Sequence, residues 1–198
     1  MRNKIKHLLL AFACMFTSSA GAQNTEILYL SGTGLGNTVT WDFYCSAGMN
    51  SGKWSQIEVP SQWELQGFGE YTYGRFYLMK DAKPSNETGL YRYSFKVPAG
   101  WEDKHVSIVF EGVMTDTEVK INDIPTGDIH QGGFYRFSYD ITDKLNYGKK
   151  NTLEVKVWKE SANRSVNAAE RRAGGFTEAS TVLSISRQYP GLISTVLR

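Results

Sequence analysis

Four carboxylates, Glu64, Glu111, Asp116 and Glu118, lie in or beside the most motif-like stretches of the chain. Hydrolysis at an acetal centre needs two such groups across the scissile bond, one as acid and one as nucleophile. Sequence spacing does not supply that pairing, and residue type alone reads them as solvated loop groups. The histidines, His7, His105 and His130, are scattered and lack the Cys or acidic spacing of a metal site. No Ser has a G-x-S-x-G setting with a linked His, so an acyl-transfer triad is not supported. The sequence points to no catalytic residue, no metal and no cofactor. Aromatic residues form the other candidate set, because a ring face can cover the C–H face of a pyranose. Trp54, Trp63, Phe68, Tyr71 and Tyr73 cluster in this way, and Trp63, Tyr71 and Tyr73 are the sugar-binding candidates. For Trp54 and Trp63, packing in a core is the competing and commoner use. Two sequons, at Asn86 and Asn163, match a pattern that is frequent by chance.

The elements that must position these residues are short and β-like. In YRYSFKV, Tyr91, Tyr93, Phe95 and Val97 share one face and Arg92, Ser94 and Lys96 the other. Pro98-Ala99-Gly100 turns the chain, and HVSIVFEG repeats the alternation with Val106, Ile108 and Phe110. Val119 and Ile121 form a strand that Asn122-Asp123 ends in a tight turn, with a returning strand expected before Gly127. Tyr135, Phe137 and Tyr139 alternate next, and Asp140 is placed to cap one helical turn through Leu145. In TLEVKVW, Leu153, Val155 and Val157 point one way. Ile57 and Val59 mark a strand stopped by Pro60, and Ile27 to Leu30 and Val39 to Tyr44 carry weaker strand patterns. The stretch from Glu70 to Lys83 has no clear period and reads as a surface excursion. About seven strands with regular turn signals predict an all-β sandwich or jelly roll.

A chain of 198 residues suffices for one domain with a single core. The net charge of +2 gives no electrostatic case for nucleic acid or an anionic membrane. Arg2, Lys4 and Lys6, the apolar run Leu8 to Phe16, and Ala20-Gly21-Ala22 read together as a cleavable export signal over residues 1–22. The run is too short to span a bilayer. Ala11-Phe12-Ala13 is a poor lipobox, which disfavours a lipoprotein anchored at Cys14. Cleavage leaves Cys45 as the single thiol, so a periplasmic or secreted product is held by its core and not by a disulfide.

Between Val59 and Ala173 the sequence resembles the N-terminal sugar-binding domain of glycoside hydrolase family 2, in the manner of exported β-galactosidase-like enzymes of Bacteroidetes. The pieces that carry the resemblance are VPSQWELQGFGEYTYG, GLYRYSFKVPAGW, VFEGVMTDTEVKIND, GDIHQGGFYRFSYDIT and NTLEVKVWKESANRSVNAAERRA, in the family's order. The stretch Glu111 to Asp140 is its strongest part. The resemblance implies a galactose-binding-like jelly roll followed by immunoglobulin-like and TIM-barrel domains, with β-glycosides or galactosides hydrolysed by two barrel glutamates. A TIM barrel takes about 250 residues by itself, so the catalytic pair is assigned to no residue here. In the family this domain packs on the barrel and lends a few residues to the edge of the sugar subsite.

The expected organisation is a signal over 1–22, the jelly roll over 23–173 and a non-family tail over 174–198. The family continues past Ala173 with a Gly-Gly-[Val/Ile]-Tyr-Arg-Pro-Val-Tyr-Leu-Glu-Ala strand, whereas this chain reads GGFTEASTVLSISRQYPGLISTVLR. Permitted codons for the tail, read from one base earlier, spell RFYGGVYRPVYLEAIPGTYIDRVA. The tail is therefore expected to be a frameshift product. The jelly roll would lack its last native strand, with an open sheet edge and marginal stability. The leading expectation is a truncated sugar-binding domain without activity of its own. A free-standing carbohydrate-binding module and a domain that completes another polypeptide by packing are the alternatives.

Overall fold

A computed structural model describes residues 25–34, 36–70, 87–133 and 135–163, and the backbone of 193–196. The described residues form eleven strands and no α-helix. In chain order these are β1 (Glu26–Leu28), β2 (Val39–Cys45), β3 (Trp54–Val59), β4 (Thr88–Lys96), β5 (His105–Phe110) and β6 (Asp116–Ile121). They continue with β7 (Ile124–Pro125), β8 (His130–Gln131), β9 (Phe137–Asp140), β10 (Lys150–Trp158) and β11 (Ile193–Val196). One sheet runs β3-β2-β4-β10-β6-β7, with β8 also on β6, and the other runs β1-β11-β5-β9. Every pairing is antiparallel. This is the all-β sandwich the alternation called for.

Period-two burial sets the strand faces. Along β10, Asn151, Leu153, Val155 and Val157 are buried and their neighbours half-exposed. On β4, Tyr91 and Phe95 are buried while Arg92 and Ser94 face out. Trp41 and Phe43 extend the core onto β2, whose sequence pattern was weaker. Trp41 donates its indole N–H to Leu30 O at 3.0 Å, which keeps its one polar atom paired in an apolar setting. From the opposite sheet, Val106, Ile108 and Phe110 of β5 complete the interior.

The turns follow their side chains. Asn122 and Asp123 have φ of 51° and 66°, the pair of left-handed residues that a two-residue hairpin with a primed turn demands, and Ile121 faces Ile124 across it. Asp140 Oδ1 accepts from Thr142 N at 2.9 Å and Thr142 Oγ1 at 2.6 Å, fixing the expected single turn at Thr142–Lys144.

The described strands outnumber the seven or so expected. Strand β7 is the returning strand expected after Asn122-Asp123, whereas β8 is only two residues long, too short for any period to register. Ile193–Val196 pairs with β5 on one side and β1 on the other, with Ser194 opposite both Ser107 and Ile27. Main-chain pairing needs no particular side chains, so a segment without family pattern can still fill a ladder.

Candidate functional site

Where β10 ends, two polar features lie on opposite sides of one short segment, Trp158–Ala162. On one side, Lys159 is buried, its ammonium 3.0 Å from Glu64 Oε1 and 3.1 Å from Glu87 Oε2. It also donates to Glu70 O at 2.6 Å. Glu87 Oε1 accepts from Glu70 N at 2.6 Å, and Lys159 N donates to Glu87 O at 3.1 Å. Glu64 and Glu87 are 6% and 2% exposed. Burial this deep is tolerable only because each carboxylate meets the same cation. The ion contact at Glu64 lacks hydrogen-bond alignment, and neither of its oxygens has another partner among the described residues. Desolvation accordingly pushes the Glu64 carboxyl above its ordinary pKa, against the pull of Lys159.

This ionic knot joins Glu64, Glu70, Glu87 and the exit of β10. Tyr71 and Tyr73 lie outside the described residues. Trp63 is described, and it is fully buried. Its ring lies 5.7 Å from that of Phe43, which also meets Phe68 and Tyr91 at 5.0 Å and 4.6 Å. The opposite approach is closed by the β4 backbone: a Cβ on Gly89 would come within 2.3 Å of the Trp63 ring. The indole of Trp63 thus serves as core packing beside the knot. Trp54 stands out on the sheet surface instead, 45% exposed, with the Arg92 guanidinium 4.6 Å over its ring.

On the other side of Trp158–Ala162 is an open cavity of about 390 Å³, walled by Asp116, Ile129, Trp158, Glu160, Ser161 and Ala162. Asp116 is 5% exposed. Its Oδ2 accepts from Gln131 Nε2 at 3.1 Å and Ala162 N at 2.9 Å, while Oδ1 has no hydrogen-bond partner among the described residues. Of the carboxylates singled out in the sequence, Glu64 and Asp116 are therefore buried and not solvated. The Glu111 carboxylate, whose side chain is 5% exposed, pairs with the exposed Arg136 at 2.6 Å, and the half-buried Glu118 pairs with Lys120 at 3.3 Å. Glu87, Trp158 and Lys159 were not foreseen. The one local signal was an ionisable residue directly following the strongly alternating β10, where the strand pattern demands burial to continue. Glu64 and Glu87 flank a common cation and are sealed from solvent, so no scissile bond reaches them.

The family described as glycosyl hydrolases family 2, sugar binding domain, matches residues 41–177. The chain belongs to that family. Its β-galactosidase relative from Psychromonas ingrahamii is 33% identical over 109 residues, which are 52% of this chain and 10% of that protein. A β-glucuronidase from Bacteroides fragilis is 29% identical over 148 residues, 74% of this chain and 18% of the relative. The family 2 domain thus spans less than a fifth of the length of these two relatives. Among solved structures, the β-glucuronidase of Bacteroides uniformis superposes with a TM-score of 0.54 at 22% identity, over 87% of this chain and 18% of that one. That likeness shows the shared sandwich fold. All three groups of the knot, and every cavity residue, lie within the family 2 match.

Proposed function

We propose that this family 2 domain is the N-terminal sugar-binding and structural part of an exported, β-galactosidase-like glycoside hydrolase of carbohydrate metabolism. Catalysis belongs to a TIM-barrel domain reached through an immunoglobulin-like domain, and the 198 residues here carry no catalytic pair. Residues 1–22 direct export, 23–173 form the domain, and 174–198 are read out of the family's frame. The observation that carries the reading is the Lys159 knot. It ties Glu70 and Glu87, the described residues on either side of Tyr71 and Tyr73 in the chain, to the exit of β10, the kind of rigid support on which a binding site is built. The test is reconstitution: the chain is co-expressed with a β-galactosidase relative deleted for its matching segment. Restored hydrolysis of a nitrophenyl β-galactoside supports the reading, and a chain that neither restores activity nor associates with the deleted enzyme overturns it. Cell fractionation decides export separately.

A further inference from the structure

Among the described residues, β3 pairs with β2 alone and ends the large sheet. An end strand carries main-chain donors and acceptors that invite another strand. In an antiparallel ladder, alternate residues turn both groups toward the partner strand, and the residues between them turn both away. Glu58 is of the second kind, because a side chain and not β2 meets its main chain. Glu58 N donates to Gln66 Oε1 at 3.0 Å, and Glu58 O accepts from Gln66 Nε2 at 2.9 Å. A residue of a neighbouring strand would exchange the same two bonds with Glu58. One amide side chain thus reproduces the main-chain contact of a strand. That amide is held in place. Gln66 Nε2 also donates to Ser61 Oγ, which in turn donates to Glu58 O. Gln66 closes the short turn Glu64–Gln66, its N donating to Trp63 O at 3.1 Å. Trp63 is fully buried and Glu64 belongs to the ionic knot, so the turn that carries Gln66 is anchored in the core.

The rest of this edge suits a second copy of the chain. Residues two apart share a side, so Trp54 and Gln56 turn outward with Glu58. A twofold axis at Gln56 sets that residue against itself and Trp54 against Glu58 of the second copy. Every outward group of β3 is then used, and the two Glu58 carboxylates do not oppose each other. Gln66 occupies Glu58 and so blocks both outer pairs of this arrangement. We propose that the Gln66 side chain stands in for a neighbouring strand and keeps the β3 edge from pairing with β3 of a second copy. The test begins with amide hydrogen exchange on the unmodified chain. The Glu58 N–H is expected to exchange about tenfold or more slowly than that of Gln56, which shares the edge but is not met by the amide. Equal rates overturn the proposal. Gln66→Met keeps the length of a half-buried side chain and loses both bonds to Glu58. It should speed Glu58 exchange about tenfold while the β3 amides that face β2 keep their rates. In sedimentation velocity, the same variant should dimerise at least about tenfold more tightly than the unmodified chain. Adding Gln56→Pro removes the donor on the axis, which an end strand tolerates, and should reverse that gain. Dimerisation unchanged by Gln66→Met, or dimers that survive Gln56→Pro, also overturn the proposal.

Discussion

The buried Lys159 ammonium faces two buried carboxylates, Glu64 and Glu87. Removing a partner from a buried ion pair leaves an uncompensated charge, which costs about 3–5 kcal/mol. Lys159→Met is therefore expected to lower unfolding stability by about that amount in urea titration, since Glu64 and Glu87 are both sealed from water. Glu64→Gln should behave differently. It leaves Lys159 with Glu87 in a balanced pair, so the change should stay within about 1 kcal/mol of zero. A loss as large as that of Lys159→Met would show that the second carboxylate is not surplus. None of this was visible from Glu64 alone. Whether a carboxylate is solvated or buried depends on partners, and its partners here, Glu87 and Lys159, are remote in the chain. Trp63 illustrates the same limit from the other side. Its type fits stacking and packing equally, and only the closeness of Gly89 and Phe43 decides that it packs.

At the scale of elements, the joint between the β6–β7 hairpin and the start of β10 is tied by two asparagines. Asn122 donates to Asn151 Oδ1 at 2.8 Å and to Lys144 O at 2.8 Å, and accepts from Thr152 N at 3.0 Å. Asn151, 1% exposed, accepts from Asn146 N at 2.7 Å and donates to Asn146 O at 3.1 Å. Asn151→Ala would strand several of these groups in a buried setting, and a loss of about 1–3 kcal/mol is expected in thermal or urea unfolding. Asn151→Asp should recover part of it, because the acceptor for Asn122 and Asn146 N remains. The elements themselves were largely legible. In β4 and β10 one face is buried and the other wetter, which forces alternation into the sequence. The Asn-Asp turn is equally readable, since few residues adopt left-handed φ cheaply. Strand β8 escaped because two residues carry no side-chain pattern, and β11 escaped because its place rests on main-chain pairing.

For the whole molecule, the titrating groups pull stability in opposite directions. Glu64 has a raised pKa through burial, so between the ordinary value of 4.5 and its folded value the native state holds more protons than the unfolded chain. That contribution is full at lower pH and is lost as pH rises through the folded value. Asp140 has a lowered pKa, first from the Thr142 hydroxyl and then from the Thr142 N–H, so its contribution is lost as pH falls below the ordinary 3.8. Melting temperature should therefore peak in mildly acidic solution, and Glu64→Gln should flatten only the limb above the peak. A profile whose upper limb keeps its slope in that variant would remove Glu64 as the cause. The thiol of Cys45 has a consequence of another kind. It is wholly enclosed in the interior of the large sheet, is raised in pKa by burial, and donates to Ala47 O at 3.1 Å. A disulfide reagent reaches it only when β2 leaves the sheet. Cys45 labelling should then run at the rate of opening, slowing with added stability and insensitive to reagent concentration once that is high. The chain thus contains its own chemical clock for unfolding, read from the thiol of Cys45.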